Sequence, residues 1–318
     1  MAKELFQVSS PPRIVISDCA GELVIRPWMN LDVKAKGNYK TKEIDGQLFF
    51  SSNGDLVLHV PENSNIHIDS VSGDCVIRSL AGDISVDSVS GEAVFNNLSL
   101  LKAGQVHGDV VASNISGPLT IHKVDGDVVA RNIDQDLILG LVSGDISARN
   151  VNGSLFFEEI SGDADIRNAS GDVKINKVHR DVNLRNLGGR CSIGDVAGDV
   201  RIKGGLGPYD HSVVANGDIV VIWPKEAPLL LEAEASKIDN RLRLLDLVES
   251  DGHVIGRLGD GKTRLTLTAG GRIVLKETQI VSEKWEPGAK PEFEFDFMSE
   301  LAGLGAKISS EVEEQVAR

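Results

Sequence analysis

The sequence predicts an all-β chain: a single-stranded parallel β-solenoid with about 18 residues per coil and a short C-terminal helix. Three observations carry this. A nine-residue phrase, roughly Gly-Asp-Val-x-Ile-x-Asn-Val-Ser, runs without slippage from Gly108 to Gly198. Glycine falls at Gly108, Gly117, Gly126, Gly144, Gly153, Gly162, Gly171, Gly189 and Gly198, with Gln135 and Arg180 on the two other beats. The third, fifth and eighth places are apolar, as in Val110, Ala112 and Ile115 or Leu155, Phe157 and Ile160. Places three and five are two apart, so they share one face of a strand. Finally, Arg131-Asn132, Arg149-Asn150, Arg167-Asn168 and Arg185-Asn186 recur every 18 residues, with Asn114 one step earlier. The phrases between them carry other pairs, such as His122-Lys123 and Glu158-Glu159, so one coil is two phrases.

Each coil of such a fold buries its apolar face only against its neighbours. Small residues alternate with large ones at the fifth place: Ala112, Ala130 and Ala148 against Ile121, Leu139 and Phe157. This suits a thin closed core, as does an aromatic content of 4%. Asn114, Asn132, Asn150, Asn168 and Asn186 should stack as an amide ladder. The repeat glycine is expected at the corner, where a positive φ costs it little. Parallel crossovers favour a right-handed wind. About 14 coils over residues 14 to 277 would give a rod on the order of 65 Å long, at ~4.8 Å per coil.

Along the chain, residues 1–72 read as an N-terminal cap and first irregular coils, with strand-like runs at Arg13 to Ser17, Glu22 to Arg26, Leu48 to Ser51 and Asp55 to Val60. An open solenoid end needs such a cap. Residues 73–207 are the regular solenoid, starting with Gly73, Gly82 and Gly91. The phrase skips one residue between Gly91 and Gly108, and a bulge or altered corner is expected around Leu100 to His107. Residues 208–277 form irregular coils or closing strands at Asp218 to Trp223, Leu229 to Glu234, Arg264 to Thr268 and Arg272 to Lys276. Residues 278–318 are a linker with Pro287 and Pro291, then an amphipathic helix in which Phe297, Leu301, Leu304, Ile308, Val312 and Val316 recur every three or four residues.

The formal net charge of −14 argues against nucleic acid and anionic membrane as partners. No stretch approaches the roughly 18 apolar residues of a membrane span. Met1 to Gln7 carry no signal-peptide core, which makes the cytoplasm the expected compartment, with the cell envelope as the alternative. Cys19, Cys75 and Cys191 are odd in number and scattered. Cys75 and Cys191 take inward places about six coils apart, roughly 30 Å, too far to bridge.

The repeats Val71-Ser72-Gly73-Asp74, Val142-Ser143-Gly144-Asp145, Ile160-Ser161-Gly162-Asp163 and Ala169-Ser170-Gly171-Asp172 resemble those of the bacterial DUF4097 family of β-strand-repeat, adhesin-like proteins. The resemblance covers roughly residues 13 to 277 and implies a β-solenoid with no catalytic motif. Some members of that family are linked to envelope stress. In coil length alone the chain is also similar to the bactofilins, cytoplasmic solenoids that polymerise end to end.

Chemistry is sparse. Calcium β-rolls need a turn of several small residues where carbonyls and carboxylates converge; one glycine per phrase leaves no such turn. Asp109, Asp127, Asp145, Asp163, Asp181 and Asp199 form an 18-residue series expected to cap corner amides and pair with arginine. Arg131, Arg149, Arg167 and Arg185 form a parallel row, the candidate binding stripe for a glycan or anionic polymer. Lyase-type clefts need long uneven loops, and these coils are uniform. The seven histidines show no metal spacing, and no nucleophile stands beside a base. Tyr209, Asp210 and His211 are best read as an ordinary turn. No enzyme, cofactor or metal is expected. The expected role is a structural scaffold that self-associates or docks a protein partner through its ends or its tail. The alternative is an adhesin-like or envelope-stress-associated module that binds an extended glycan or anionic ligand along a solenoid face.

Overall fold

The computed structural model describes residues 2–7, 11–225 and 227–278. Among them the chain is all-β, with 25 strands and no helix. The expected tail helix lies outside the described residues. No helix among those described is long and apolar enough to cross a membrane. The chain divides into two compact units, with the boundary between Ile138 and Leu139.

The first unit holds β1 (Ala2–Gln7), β2 (Arg13–Cys19), β3 (Leu23–Pro27), β4 (Asp32–Ile44), β5 (Gln47–Val60), β6 (Asn65–Val71), β7 (Cys75–Val89), β8 (Ala93–Val106), β9 (Val110–Ile115), β10 (Leu119–Val124) and β11 (Val128–Ile133). β12 (Leu137–Val142) spans the boundary. Parallel pairing joins Ile14 to Ile66, Ile66 to Ile84, Ile84 to Leu101 and Leu101 to Leu119, a row of core residues at most 2% exposed. A second row runs from Leu56 through Leu23, Cys75, Ala93 and Val110 to Val128. Ala93 pairs with Val110, a step of one residue less than the Leu101–Leu119 pairing. The register shift lies between Leu80 and Asp83 of β7, where Leu98 and Leu100 of β8 face them, so the skipped residue falls just before the stretch expected from sequence. Two antiparallel pairings, β1 with β4 and β4 with β5, occur in the predicted cap.

The second unit holds β13 (Ile146–Val151), β14 (Leu155–Ile160), β15 (Ala164–Ala169), β16 (Val173–Val178), β17 (Val182–Leu187), β18 (Cys191–Val196), β19 (Val200–Leu206), β20 (Asp210–Ala215), β21 (Ile219–Pro224), β22 (Leu229–Asn240), β23 (Leu245–Ser250), β24 (His253–Leu258) and β25 (Arg264–Thr278). Ile146 pairs with Ala164, Ala164 with Val182, and Val182 with Val200, each one coil of 18 residues on. β25 ends this regularity by pairing in parallel with β20, β21 and β22 at once. β22 also takes β24 as an antiparallel neighbour, and β24 takes β23.

The corner chemistry corrects one expectation. None of the phrase glycines has a positive φ. That conformation belongs to the seventh place: Asn97, Asn114, Asn132, Asn150, Asn168 and Asn186, and Ser79, all lie between 55° and 56°. Asparagine tolerates the left-handed region better than most residues. The predicted ladder forms as well. Asn132 Nδ2 donates to Asn114 Oδ1 at 2.9 Å in the first unit. Asn168 donates to Asn150 at 3.0 Å, and Asn186 to Asn168 at 3.1 Å, in the second.

The glycine serves close approach instead. A Cβ on Gly126 would lie 2.2 Å from Asp109 Oδ1, and one on Gly162 would lie 2.2 Å from Asp145 Oδ1. Those oxygens are held there because they accept backbone N–H bonds from the next coil, Asp127 to Asp109 and Asp163 to Asp145, both at 2.8 Å. The same beat is filled by Arg180 one coil after Gly162-Asp163, although Asp163 accepts the Asp181 N–H at 2.9 Å, so not every corner demands a glycine.

Candidate functional site

The sixth place of each phrase alternates to the outer face, since places three and five face inward. The register puts Arg149 beside Arg167, Arg167 beside Arg185, and Arg185 beside Lys203, a continuous basic row in the second unit. Arg131 belongs to the first unit, where its register neighbour is Ser113. Cations on adjacent strands, about 4.8 Å apart, repel by about 1 kcal/mol even in water, so counter-charge is needed. Asp165, at the fourth place of β15, supplies it. Arg167 Nε donates to Asp165 Oδ1 at 3.0 Å, and its Nη2 lies 2.9 Å from Oδ2. Arg149 Nη2 is 3.6 Å from the same oxygen. The Arg149 and Arg167 side chains are only 10% and 23% exposed. Two of the four predicted arginines are therefore engaged by an acid. Burial alone pulls the Arg131 guanidinium below its ordinary value.

The rest of the row differs. The register neighbours of Asp165 at the fourth place are Asn183 and then Arg201. Arg185, Lys203 and Arg201 thus sit together with no acid at the corresponding place, and Arg185 and Lys203 are half-buried.

The acidic series does structural work. Besides the two bonds above, Asp163 accepts from Asp181 N at 2.9 Å, Asp181 from Asp199 N at 2.8 Å and Asp199 from Asp218 N at 2.7 Å. The interruption near Tyr209 is also structural. His211 lies inward on β20 at 2% exposure. Its Nδ1 accepts the Cys191 N–H at 3.0 Å and its Nε2 donates to the Gly207 carbonyl at 2.8 Å. That pair of bonds needs the neutral ring, and burial lowers the imidazole below its usual value. The three cysteines are free and buried. Burial pushes the Cys19 and Cys191 thiols up to about 12, and Cys75 higher still.

Sequence spacing missed two features. Coil winding gathers His67, Asp69 and Asp87, with His67 Nε2 2.9 Å from Asp69 Oδ1 and 3.9 Å from Asp87 Oδ2. All three side chains are largely exposed. β23 is the other: all six of its residues are exposed, including Leu245 at 55%, Leu247 at 45% and Val248 at 59%. Ile255, on the partner strand β24, is 36% exposed. The candidate tail residues Phe297, Leu301, Leu304, Ile308, Val312 and Val316 lie outside the described residues.

No curated protein matches the chain. A solved structure described as a "putative cell adhesion protein" from Clostridium sporogenes aligns over 87% of this chain and 99% of its own. The identity is 13% and the TM-score 0.18, too slight a likeness to bear on fold or activity. The Toastrack DUF4097 family model matches residues 29–239, well over half the chain, and with the repeat geometry already described it establishes that the chain belongs to the DUF4097 family.

Proposed function

We propose that the protein is a non-enzymatic, right-handed β-solenoid that docks protein, in the first instance a second copy of itself, through β23. The exposed apolar face of β23 carries the reading. A strand edge offers unpaired N–H and C=O groups that another strand can complete, and proteins usually blunt such edges with charge. β23 carries Asp246 and Glu249 and a register shift between Leu245 and Val248, yet Leu245, Leu247 and Val248 stand exposed on this one six-residue strand. Strand addition would supply main-chain hydrogen bonds, and the leucines would bury against the added strand. Size-exclusion chromatography with light scattering should show concentration-dependent association of the wild type that is lost in Leu245→Lys/Leu247→Lys. A wild type that stays monomeric up to high micromolar concentration, as single particles in negative-stain micrographs, would remove self-docking.

A second reading rests on the register of the basic row. Arg185, Lys203 and Arg201 offer three cations at strand spacing, a fit for an extended anionic or glycan polymer. Binding of a polyanion such as heparin should fall in Arg185→Gln/Lys203→Gln and change little in Arg149→Gln, whose guanidinium faces Asp165. Equal loss in both would point to bulk charge rather than a site.

A further inference from the structure

Among the described residues histidine pairs with acid at three places, and the three sets balance their charge differently. Asp125 lies 2.6 Å from His107 Nδ1 and 2.8 Å from Lys123 Nζ. Glu159 lies 2.7 Å from His179 Nε2 and 3.3 Å from Lys177 Nζ. In both, one carboxylate faces two nitrogen donors. Hydrogen bonds from Lys123 and His107 hold Asp125 below the usual carboxylate range, and those from His179 and Lys177 do the same for Glu159. The third set is the reverse. One imidazole, His67, stands between two carboxylates, with Asp69 Oδ1 at 2.9 Å from its Nε2 and Asp87 Oδ2 at 3.9 Å. Among the described residues neither acid pairs with a lysine or arginine.

The sheet builds this set. Ile66 and Ile68 are core residues at 2% and 0% exposure, so alternation turns His67 outward and Asp69 with it. Ile68 pairs with Val86 and Ser70 with Ser88, which puts Asp69 and Asp87 opposite each other on β6 and β7. Like charges at that spacing repel even in water. The register neighbours of His67 are Val15 and Ser85, so no fixed cation stands beside it. Lys102 comes closest by register, as the neighbour of Ser85 on β8. Ser70, beside Asp69, donates to a further acid, Asp18, at 3.0 Å, so the surroundings add negative charge.

We propose that His67, Asp69 and Asp87 bind a divalent transition-metal ion of the zinc class, which clips β6 to β7. One imidazole nitrogen and two carboxylate oxygens suit such ions, whereas calcium is held through oxygen. The three donor atoms all lie within 4.8 Å of one another. Atoms at zinc-ligand distance and tetrahedral angles stand about 3.4 Å apart. The observed 2.9 and 3.9 Å bracket that spacing. Asp87 has only to swing inward, and the terminal torsion of an aspartate is broad. Binding replaces the contact between His67 Nε2 and Asp69, so the neutral ring carries its hydrogen on Nδ1. The side chains of His67, Asp69 and Asp87 are 44%, 47% and 62% exposed, so the ion enters from solvent and water completes its shell. β6 and β7 belong to successive coils, and the ion adds a cross-link that their backbone pairing lacks. The site is independent of β23 and of the basic row.

The test uses the full chain without an affinity tag, titrated with Zn2+ in competition with a chromogenic chelator. The wild type should bind a single ion per chain and saturate below ~100 µM. His67→Ala and Asp87→Asn should each weaken that binding at least ~10-fold, since even changes beyond the ligands themselves cost as much. His107→Ala, at the set balanced by Lys123, should leave it unchanged. All three positions are exposed, and the far-ultraviolet circular dichroism of each variant should match the wild type. Zn2+ should also raise the melting temperature of the wild type and not that of His67→Ala, as expected of an ion that binds only the folded pair of coils. A wild type without saturable binding up to ~100 µM overturns the proposal. So does equal binding by the wild type and His67→Ala. An ion shared by two chains would overturn the clip in favour of a metal bridge between copies.

Discussion

Asn168 sits at the middle of the second-unit ladder, and its side chain and backbone make separable demands. It donates to Asn150 at 3.0 Å, accepts from Asn186 at 3.1 Å, and holds a φ of 56°. The two amide bonds are worth about 0.5–1.5 kcal/mol each, and a left-handed backbone costs an alanine about 1–2 kcal/mol. Asn168→Ala should therefore destabilise by about 2–5 kcal/mol. Asn168→Gly loses the same bonds but adopts the conformation freely, against an entropy cost of about 0.5–1 kcal/mol. Glycine should be the milder change by about 0.5–1 kcal/mol. Asn183→Ala, on an exposed place of the next strand, should stay within about 0.5 kcal/mol of wild type. Urea midpoints followed by circular dichroism would rank the three variants. Since repeat arrays do not always unfold in one step, m-values must be compared before midpoints are converted to free energies. Glycine equal to or worse than alanine would refute the assignment of strain to the seventh place.

Phe157→Ala, at 0% exposure, should cost about 3–5 kcal/mol in urea melts, and a loss under 1 would mean that the coil closes over the gap. Gly162→Ala forces a Cβ to within 2.2 Å of Asp145 Oδ1 and should cost about 1–3 kcal/mol, with a neutral result disproving the close-approach account. His211 has a folded pKa below its ordinary 6.5, so the unfolded chain takes up the proton first. Its contribution is intact above that value and is lost as pH falls through it towards the folded value. The wild-type melting temperature should therefore drop more between pH 7.5 and 5 than that of His211→Gln, and parallel curves would count against the neutral buried ring. All three thiols should resist Ellman's reagent in the folded protein and react after denaturation; fast native reaction of any one would contradict its burial.

The parts legible in the sequence were those that repeat. The 18-residue spacing of Arg149-Asn150 and Arg167-Asn168 became the observed pairing of Arg149 with Arg167, and the asparagines became the ladder. The glycine was found for the wrong reason, because a missing Cβ serves positive φ and close stacking alike, and only the position of Asp109 over Gly126 separates them. β23 and β24 lie outside the beat and could not be phased. His67 and Asp87 meet only because β6 pairs with β7, a juxtaposition that needs the winding to be known. The predicted arginine stripe was correctly aligned for three members, but the acid that engages Arg149 and Arg167 was visible only as one residue among many.

The bonds from each aspartate to the next coil's amide also set how this chain can change length. Asp145 to Asp163 and Asp163 to Asp181 reproduce the same contact one coil on, so duplicating or deleting a whole 18-residue coil leaves every such join matched. A nine-residue insertion does not. It would stand an Arg-Asn phrase above one of the alternate kind, break the amide ladder and place Asn186 beside Lys177, although every apolar place stayed filled. Gene duplications that survive in such a lineage should therefore come in even numbers of phrases, with odd ones confined to the irregular ends.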